Sequence, residues 1–401
     1  MDAFFVSVEE LFDPTLKGKP VVVGGRPNER GVVAAASYAA RKFGIHSAMP
    51  LRTAYKHCPQ AIFVEGHPQR YREYSGKVYE VLQRFSPLVE MASIDEAYLD
   101  MTGTHSLMGP PLRAADALHN SMKAATGLNC SIGIATSRLV AKVASAQAKP
   151  NGVLWIIPGQ EASFLAPLPV RRIPGVGKVM EQALCDLGIS RVGDLAKLDA
   201  ALLEERFGKW GLALAGKAQG LDAGGWFDHE IGGESAPKSI SHEHTFSEDT
   251  AHVDVLETTL SRLAQMVGRR LREHRLYART VQLKLRSSDF FTITRARSLN
   301  QPTQLDNHIL DEVTTLFHQN WKAGQMVRLL GVQVSSLDRS GPQLNLLDGG
   351  ENRKREQVLS AADRLRDKYG ESVLSVGSAV KSKFRERTNE NPPNLPGKTK
   401  K

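Results

Sequence analysis

The sequence predicts an α+β protein of several domains. Three observations carry that reading. The chain has 401 residues. Short strand and helix patterns alternate over roughly the first 160 residues, and a second alternation follows a polar break near residue 230. A domain usually holds about 100–150 residues, so three or four units are expected.

In the first stretch Val21–Gly24, Val32–Ala36 and Asn129–Ala135 read as strands; in the last, Cys130, Ile132 and Ile134 alternate with smaller residues. Arg138–Ala148 reads as a helix with Leu139, Val143 and Ala146 on one face, stopped by Pro150, and Val153–Ile157 as a further strand. Val89–Ala92 and Ala97–Met101 read as a hairpin. One mixed or antiparallel sheet would gather these elements. From Ala162 to about Trp226 the pattern is short helices with glycine punctuation. Asp228–Ile240, with Gly232, Gly233 and Pro237, reads as a linker. Its Gly-Gly-Glu-Ser has a faint likeness to a cyclase motif, but no strands flank it.

Beyond the linker, Asp254–Arg275 carries Leu256, Leu260, Leu263, Val267 and Leu271 on one stripe. Val281–Arg286 alternates apolar and polar residues, with Phe290–Arg297 as its hairpin partner. A helix around Ile309–Asn320 and a strand around Arg328–Leu337 follow. The order strand, helix, strand, strand, helix, strand predicts a split βαβ sandwich. A charged helix (Glu351–Lys368) and a polar tail from Thr388, expected to be disordered, complete the chain.

The net charge of +9 favours a polyanionic partner, because each Lys or Arg that neutralises a phosphate releases a counterion. Three cysteines, Cys58, Cys130 and Cys185, lie far apart with no CxxC spacing. That pattern argues against a disulfide framework and a zinc site, and it fits a reducing cytoplasm. No apolar run reaches the roughly 20 residues of a membrane span. The start carries acids where a signal peptide would carry bases.

Ser93-Ile94-Asp95-Glu96 puts two carboxylates at the tip of the predicted hairpin. Adjacent carboxylates repel, and a divalent ion resolves the repulsion. Mg²⁺ takes hard oxygen ligands and usually one or two carboxylates, with phosphates and water completing its shell. Alone, such a pair is an acidic turn, so its surroundings decide. Tyr38 and Arg41 open a helix after the Val32 strand, and Arg41 suits forked contact with a phosphate. Lys142 and Lys149 are seven apart and are expected on one helical face. Phe4 and Phe5 are expected in a strand that sends their rings to opposite faces, one to the core and one to a cleft. Ile173-Pro174-Gly175-Val176-Gly177-Lys178, a tight glycine hairpin before a helix, aims backbone N–H groups outward, which suits DNA phosphates. From Arg262 to Arg297 ten Lys or Arg stand against two acids. Lys284, Arg286, Arg295 and Arg297, on adjacent predicted strands, are expected to form a stripe that tracks a DNA backbone.

Taken together, MDAFFVSVE, SYAARKFGI, SIDEAYLD, Lys149-Pro150-Asn151-Gly152, IPGVG and PKSISHEHTF resemble the Y-family DNA polymerases of the DinB, or polymerase IV, type. The resemblance covers residues 1–341. It implies a right hand: palm and fingers at 1–165 with a ferredoxin-like palm, a helical thumb with a helix-hairpin-helix at 166–232, a linker at 233–240 and a little finger at 241–341. A tail at 342–401 follows. It implies translesion addition of deoxynucleotides to a primer 3′ end with two Mg²⁺ ions, and a role in damage tolerance and repair. Asp95 would be a metal ligand and Glu96 the acid beside it. Phe5 would be the steric gate against a ribose 2′-hydroxyl, with Phe4 packed nearby. Tyr38, Arg41 and Lys149 match the triphosphate contacts. Gln343, Leu344, Leu346 and Leu347 are similar to the peptide that docks such enzymes on the sliding clamp, although Leu347 replaces the usual aromatic. Primer–template DNA, dNTPs and the clamp are the implied partners, and the enzyme is expected as a monomer.

The family's first strand runs into Asp-x-Asp-x-Phe-Phe, and its first Asp is a metal ligand. Here Asp2 matches the second Asp and Met1 the residue between. Three readings follow: a misassigned or trimmed start, which is favoured because the other functional positions are retained; Asp2 as a substitute ligand; or a catalytically weak DNA- or clamp-binding relative. Without the first Asp, the metal candidates are Asp95, Glu96, the Met1 carbonyl and Asp2.

Overall fold

A computed structural model describes residues 1–232, 237–341, 349–370 and 373–374. They form two compact units, one before and one after residue 235.

The first unit opens with α1 (Phe4–Phe12), where the sequence pattern predicts a strand through Phe4-Phe5. Apolar residues recur at helical spacing, Phe4–Val8–Leu11 and Phe5–Phe12, and Ala3 turns the chain into the helix from the left-handed region (φ 43°). Strand β1 (Val21–Val23) lies between β2 (Ala35–Ala36), antiparallel, and β3 (Ile62–Val64), parallel, with Val22 opposite both Ala36 and Phe63. The strand expected from Val32 is shorter because Val33 pairs instead with the loop ahead: its N–H donates to the Met49 carbonyl and its own carbonyl accepts from Ala48, both at 2.8 Å. Helices α2 (Tyr38–Arg41) and α3 (Leu51–His57) flank this sheet. Ser37 caps α2, its Oγ accepting the Ala40 N–H, a contact worth about 1 kcal/mol.

Next come α4 (Pro68–Leu82), the hairpin β4 (Val89–Met91) and β5 (Ala97–Leu99), then α5 (His105–Met108) and α6 (Pro111–Thr126). Strand β6 (Ile132–Ile134) runs parallel to β7 (Val153–Trp155), with α7 (Arg138–Gln147) between them in sequence. The single sheet expected here is three: β2-β1-β3, β4-β5 and β6-β7. The reason is local pairing. Among the described residues β5 pairs only with β4, and β6 only with β7.

The N-terminus of α7 is held twice. Ser137 Oγ accepts the Val140 N–H, and the Asp222 carboxylate accepts the N–H groups of Arg138 (3.0 Å) and Leu139 (2.8 Å). The helix ends at Gln147, so Lys149 lies in the turn beyond it and shares no helical face with Lys142. Five helices follow: α8 (Glu161–Leu165), α9 (Lys178–Cys185), α10 (Val192–Leu195), α11 (Ala200–Phe207) and α12 (Lys209–Ala218). Leu139, Val140 and Val143 of α7 share one core with Leu165, Leu184, Leu203 and Leu214 from these helices.

The second unit carries β8 (Ser239–Thr250), α13 (Val253–Glu273), β9 (Tyr277–Ser287), β10 (Thr292–Thr303), α14 (Asp306–Asn320) and β11 (Val327–Asp338). Ser239 and Ile240, expected in the linker, already belong to β8. The sheet order β10-β9-β11-β8 interleaves two split βαβ crossovers, as the element order predicts. Strand β10 runs through Pro302 because it is an edge strand, and a register break between Ser298 and Thr303 absorbs the missing donor. Helix α15 (Gly349–Tyr369) is tied to α13, where Arg272 meets Asp363 at 2.6 Å and Arg269 meets Asp367 at 2.8 Å. Residues 343–347 and the tail from Thr388 lie outside the described residues.

Candidate active site

The hairpin β4–β5 delivers Asp95 and Glu96 at its turn, as its sequence predicts. Ser93 shapes that turn. Its Oγ accepts the N–H groups of Asp95 (3.2 Å) and Glu96 (3.1 Å) and donates to the Asp95 carboxylate at 2.7 Å. The Lys142 ammonium on α7 lies 2.6 Å from the Glu96 carboxylate, and both side chains stay partly exposed. Partial burial works against the Glu96 anion. Lys142, the N-terminal ammonium and Lys149 outweigh it and hold the carboxyl below its ordinary range.

Asp2 links this turn to the other motifs. It is only 3% exposed. Its carboxylate accepts from Ser131 Oγ on the approach to β6 (2.9 Å) and from the Asn151 N–H, in the turn holding Lys149, at 2.7 Å. Burial, followed by the Asp2 charge, raises the Tyr38 hydroxyl above its usual range, so it stays protonated. Arg41 sits with its guanidinium 4.8 Å from the Tyr38 ring centre and donates from Nε to the Ala36 carbonyl. Met1 donates from its ammonium to the Asp95 carbonyl at 2.7 Å. The structure therefore gathers Met1, Asp2, Tyr38, Arg41, Asp95, Glu96 and the Lys149 turn, as the motifs predict.

Phe4 is buried in the α1 core, and Phe5 is half-buried, its ring stacked on Tyr71 at 4.3 Å. Tyr71 is in turn fixed by the buried Glu9 carboxylate, which also takes His67 at 2.8 Å and Arg70 at 3.2 Å. No sequence pattern signals this support, because Glu9 and Tyr71 are 62 residues apart. Arg138 is a second functional neighbour that sequence reasoning misses. It is buried between Glu90 of β4 (3.5 Å) and Asp222 (3.7 Å), and so braces the hairpin against α7.

Among the described residues, no group of three or more His, Cys, Asp and Glu side chains is placed to hold a metal ion. Two adjacent carboxylates suit Mg²⁺ when phosphates complete the shell. Asp95 and Glu96 fit that role, and Asp2 fits it less well because Ser131 and Asn151 already occupy its oxygens.

In the glycine hairpin, Gly175 (φ 95°) lies against the Trp210 ring, while Gly177 and Lys178 are exposed at the start of α9. Lys217, 1% exposed, donates to the Pro174 carbonyl and lies 4.1 Å from the Trp210 ring centre, fixing the hairpin from behind.

The basic stripe of the second unit is corrected. Thr294 is opposite Lys284 and Thr292 opposite Arg286, whereas Arg295 faces Leu283 and Arg297 faces Val281. Directly paired residues share a sheet face. Lys284 and Arg286 therefore lie on the open face, and Arg295 and Arg297 on the helix side, where Arg297 meets Glu312 of α14 at 3.2 Å. The period of two across a hairpin splits the four residues between faces.

No helix among the described residues is long and apolar enough to cross a membrane. The impB/mucB/samB family model matches residues 1–146, its C-terminal domain matches 237–346, and the family's helix-hairpin-helix motif matches 158–189. A protein of Dehalococcoides mccartyi strain CBDB1 named DNA polymerase IV is 45% identical over 96% of this chain and 97% of its own length. The Y-family DNA polymerase chimera Dbh-Dpo4(243-245)-Dbh is similar in structure, with a TM-score of 0.71 and 26% identity, over 84% of this chain and 98% of its own. An insertion ternary complex of Dbh DNA polymerase matches with a TM-score of 0.57 and 26% identity, over 86% of this chain and 98% of its own. With family models spanning most of its length, this chain belongs to the impB/mucB/samB family and is a Y-family DNA polymerase of the DinB type.

Proposed function

We propose that the Asp95–Glu96 turn is the centre at which this DNA-directed polymerase adds deoxynucleotides to a primer 3′ end, in synthesis of the translesion type. The observation that carries the proposal is the network through Asp2. Asp2 accepts the Asn151 N–H of the Lys149 turn, and Met1 beside it donates to the Asp95 carbonyl of the hairpin turn that presents two carboxylates.

Tyr38, Arg41 and Lys149 receive the triphosphate, and Phe5, stacked on Tyr71, limits the sugar to deoxyribose. Asp95 and Glu96, with the Met1 carbonyl, would hold two Mg²⁺ ions, which assist attack by the 3′-hydroxyl and departure of pyrophosphate. The backbone N–H groups around Gly175, Gly177 and Lys178 meet DNA phosphates at the start of α9. Lys284 and Arg286 meet them on the open face of the second sheet. Gln343, Leu344, Leu346 and Leu347 dock on the sliding clamp of a cytoplasmic replication machinery. The relative named DNA polymerase IV and the ternary complex of Dbh support this reading.

Primer extension by the full chain on a primed template, with Mg²⁺ and all four dNTPs, tests it. Template-directed elongation is expected. Addition that ignores the template, or none, contradicts it.

A further inference from the structure

We propose that a cavity beside the end of α13 binds a nucleoside triphosphate, with its phosphates on Arg275, Arg339 and Arg364 and its base at Tyr277 and Gln304. The site lies within the second unit and takes no part in nucleotidyl transfer. The cavity holds about 690 Å³, a size that suits a small-molecule ligand.

Three elements build its cationic rim. Arg275 follows the end of α13, Arg339 follows the end of β11, and Arg364 comes from α15; all three line the cavity. None of these three guanidinium groups has an ion pair or hydrogen bond among the described residues.

The neighbouring acids explain why. Asp363 is taken by Arg272 at 2.6 Å and Arg366 at 3.3 Å, and Asp306 by Arg272 at 2.6 Å. Arg269 holds Asp367 at 2.8 Å and Glu273 at 3.2 Å. The Asp338 carboxylate accepts the Ser340 N–H at 3.0 Å. The inner cations thus take the acids, and the rim keeps three positive charges against the single carboxylate of Glu356 among the described lining residues. Like charges gathered on one cavity repel, and an anion of several charges resolves the repulsion. The planar guanidinium fork matches phosphate oxygens.

Arg275 also carries a backbone cost. It closes α13 with φ 54°: its N–H donates to the Arg272 carbonyl at 3.0 Å, and that of Leu276 to the Leu271 carbonyl at 2.9 Å. This left-handed position past a helix end favours glycine. An arginine there accepts strain and places its charge on the cavity.

The other end of the cavity is neutral and planar. Gln304 Nε2 donates to the Tyr277 hydroxyl at 3.0 Å and to Glu356 Oε1 at 3.3 Å. The Gln304 side-chain oxygen and the second Glu356 oxygen remain as acceptors beside the half-buried Tyr277 ring. Burial, then the Glu356 charge, raises the Tyr277 hydroxyl above its usual range, so it stays protonated and can donate. An aromatic base with an exocyclic amino group fits these partners, because the amino group donates to the two oxygens while the ring packs on tyrosine. Lys284 lies seven residues further along β9, roughly 23 Å from Tyr277. The cations assigned to DNA on the open face are therefore separate from this rim.

Calorimetric titration of the full chain with ATP, in buffer without divalent ions, tests the proposal. Saturable binding of one ATP per chain is expected, with Kd of roughly 10–100 μM. Arg275→Gly and Arg364→Gln should each weaken it at least about tenfold. Arg275→Gly should unfold at a temperature no lower than the parent, because glycine suits that backbone. UTP, whose base lacks the amino group, should bind more weakly than ATP, and so should inorganic triphosphate. Primer extension by both variants should match the parent. No saturation up to roughly 1 mM ATP, unchanged ATP affinity in both variants, inorganic triphosphate or UTP binding as tightly as ATP, or slowed primer extension in both variants overturns the proposal.

Discussion

The Phe5 ring is stacked on Tyr71, 4.3 Å between centres and 27° apart in plane. A ring held from behind cannot swing away from a sugar without breaking that stack, and Tyr71 is itself held by Glu9. Phe5→Ala should raise ribonucleotide incorporation by about 10–100-fold, with deoxynucleotide use largely kept. Tyr71→Leu should do the same more weakly. Competition between rNTP and dNTP in single-nucleotide insertion reads the ratio, and an unchanged ratio would remove Phe5 from sugar selection.

His242 makes stability depend on pH. Burial, reinforced by Arg270, lowers its pKa from the ordinary 6.5 to about 4. The unfolded state then binds a proton that the folded state refuses. The contribution is fully present above about pH 6.5, and falls as pH drops toward 4, by roughly 3 kcal/mol in all. His242→Gln should flatten thermal unfolding over that window. A parallel pH profile in the variant would show that His242 is not the source.

The thumb hairpin separates two glycines. A Cβ on Gly175 would lie 2.5 Å from Trp210, at a φ of 95°, whereas Gly177 has nothing within 4 Å. Gly175→Ala should destabilise the chain by about 1–3 kcal/mol and weaken DNA binding. Gly177→Ala should fold normally. Equal unfolding midpoints for the two variants would contradict this packing difference.

The open face of the second sheet predicts a salt effect. Neutralising Lys284 and Arg286 together should reduce the slope of log K against log salt by about 1–2, because roughly one counterion is released for each phosphate that a cation neutralises. Titration of a primer–template across salt concentrations measures it, and an unaltered slope would leave both residues as solvated surface.

Much of this was legible in the sequence, for reasons that particular residues show. The acidic hairpin, the α9 hairpin and the second unit's element order rest on local patterns that survive folding. The α1 helix did not, because Phe4-Phe5 satisfies both a strand and a helix, and only the spacing to Val8, Leu11 and Phe12 decides. The face assignment of Arg295 and Arg297 needs the β9–β10 register, which the turn at Ser288–Phe291 sets. The Asp2, Glu9 and Arg138 networks join residues 48 to 149 positions apart, and no short-range pattern encodes such pairings.

Asp95 and Glu96 as the carriers of nucleotidyl transfer are best tested by single-turnover primer extension with Asp95→Asn and Glu96→Gln, alongside primer–template affinity. Extension should slow by about 100-fold or more in each variant, with DNA affinity retained. Extension at the parent rate in both variants would take the chemistry away from this turn.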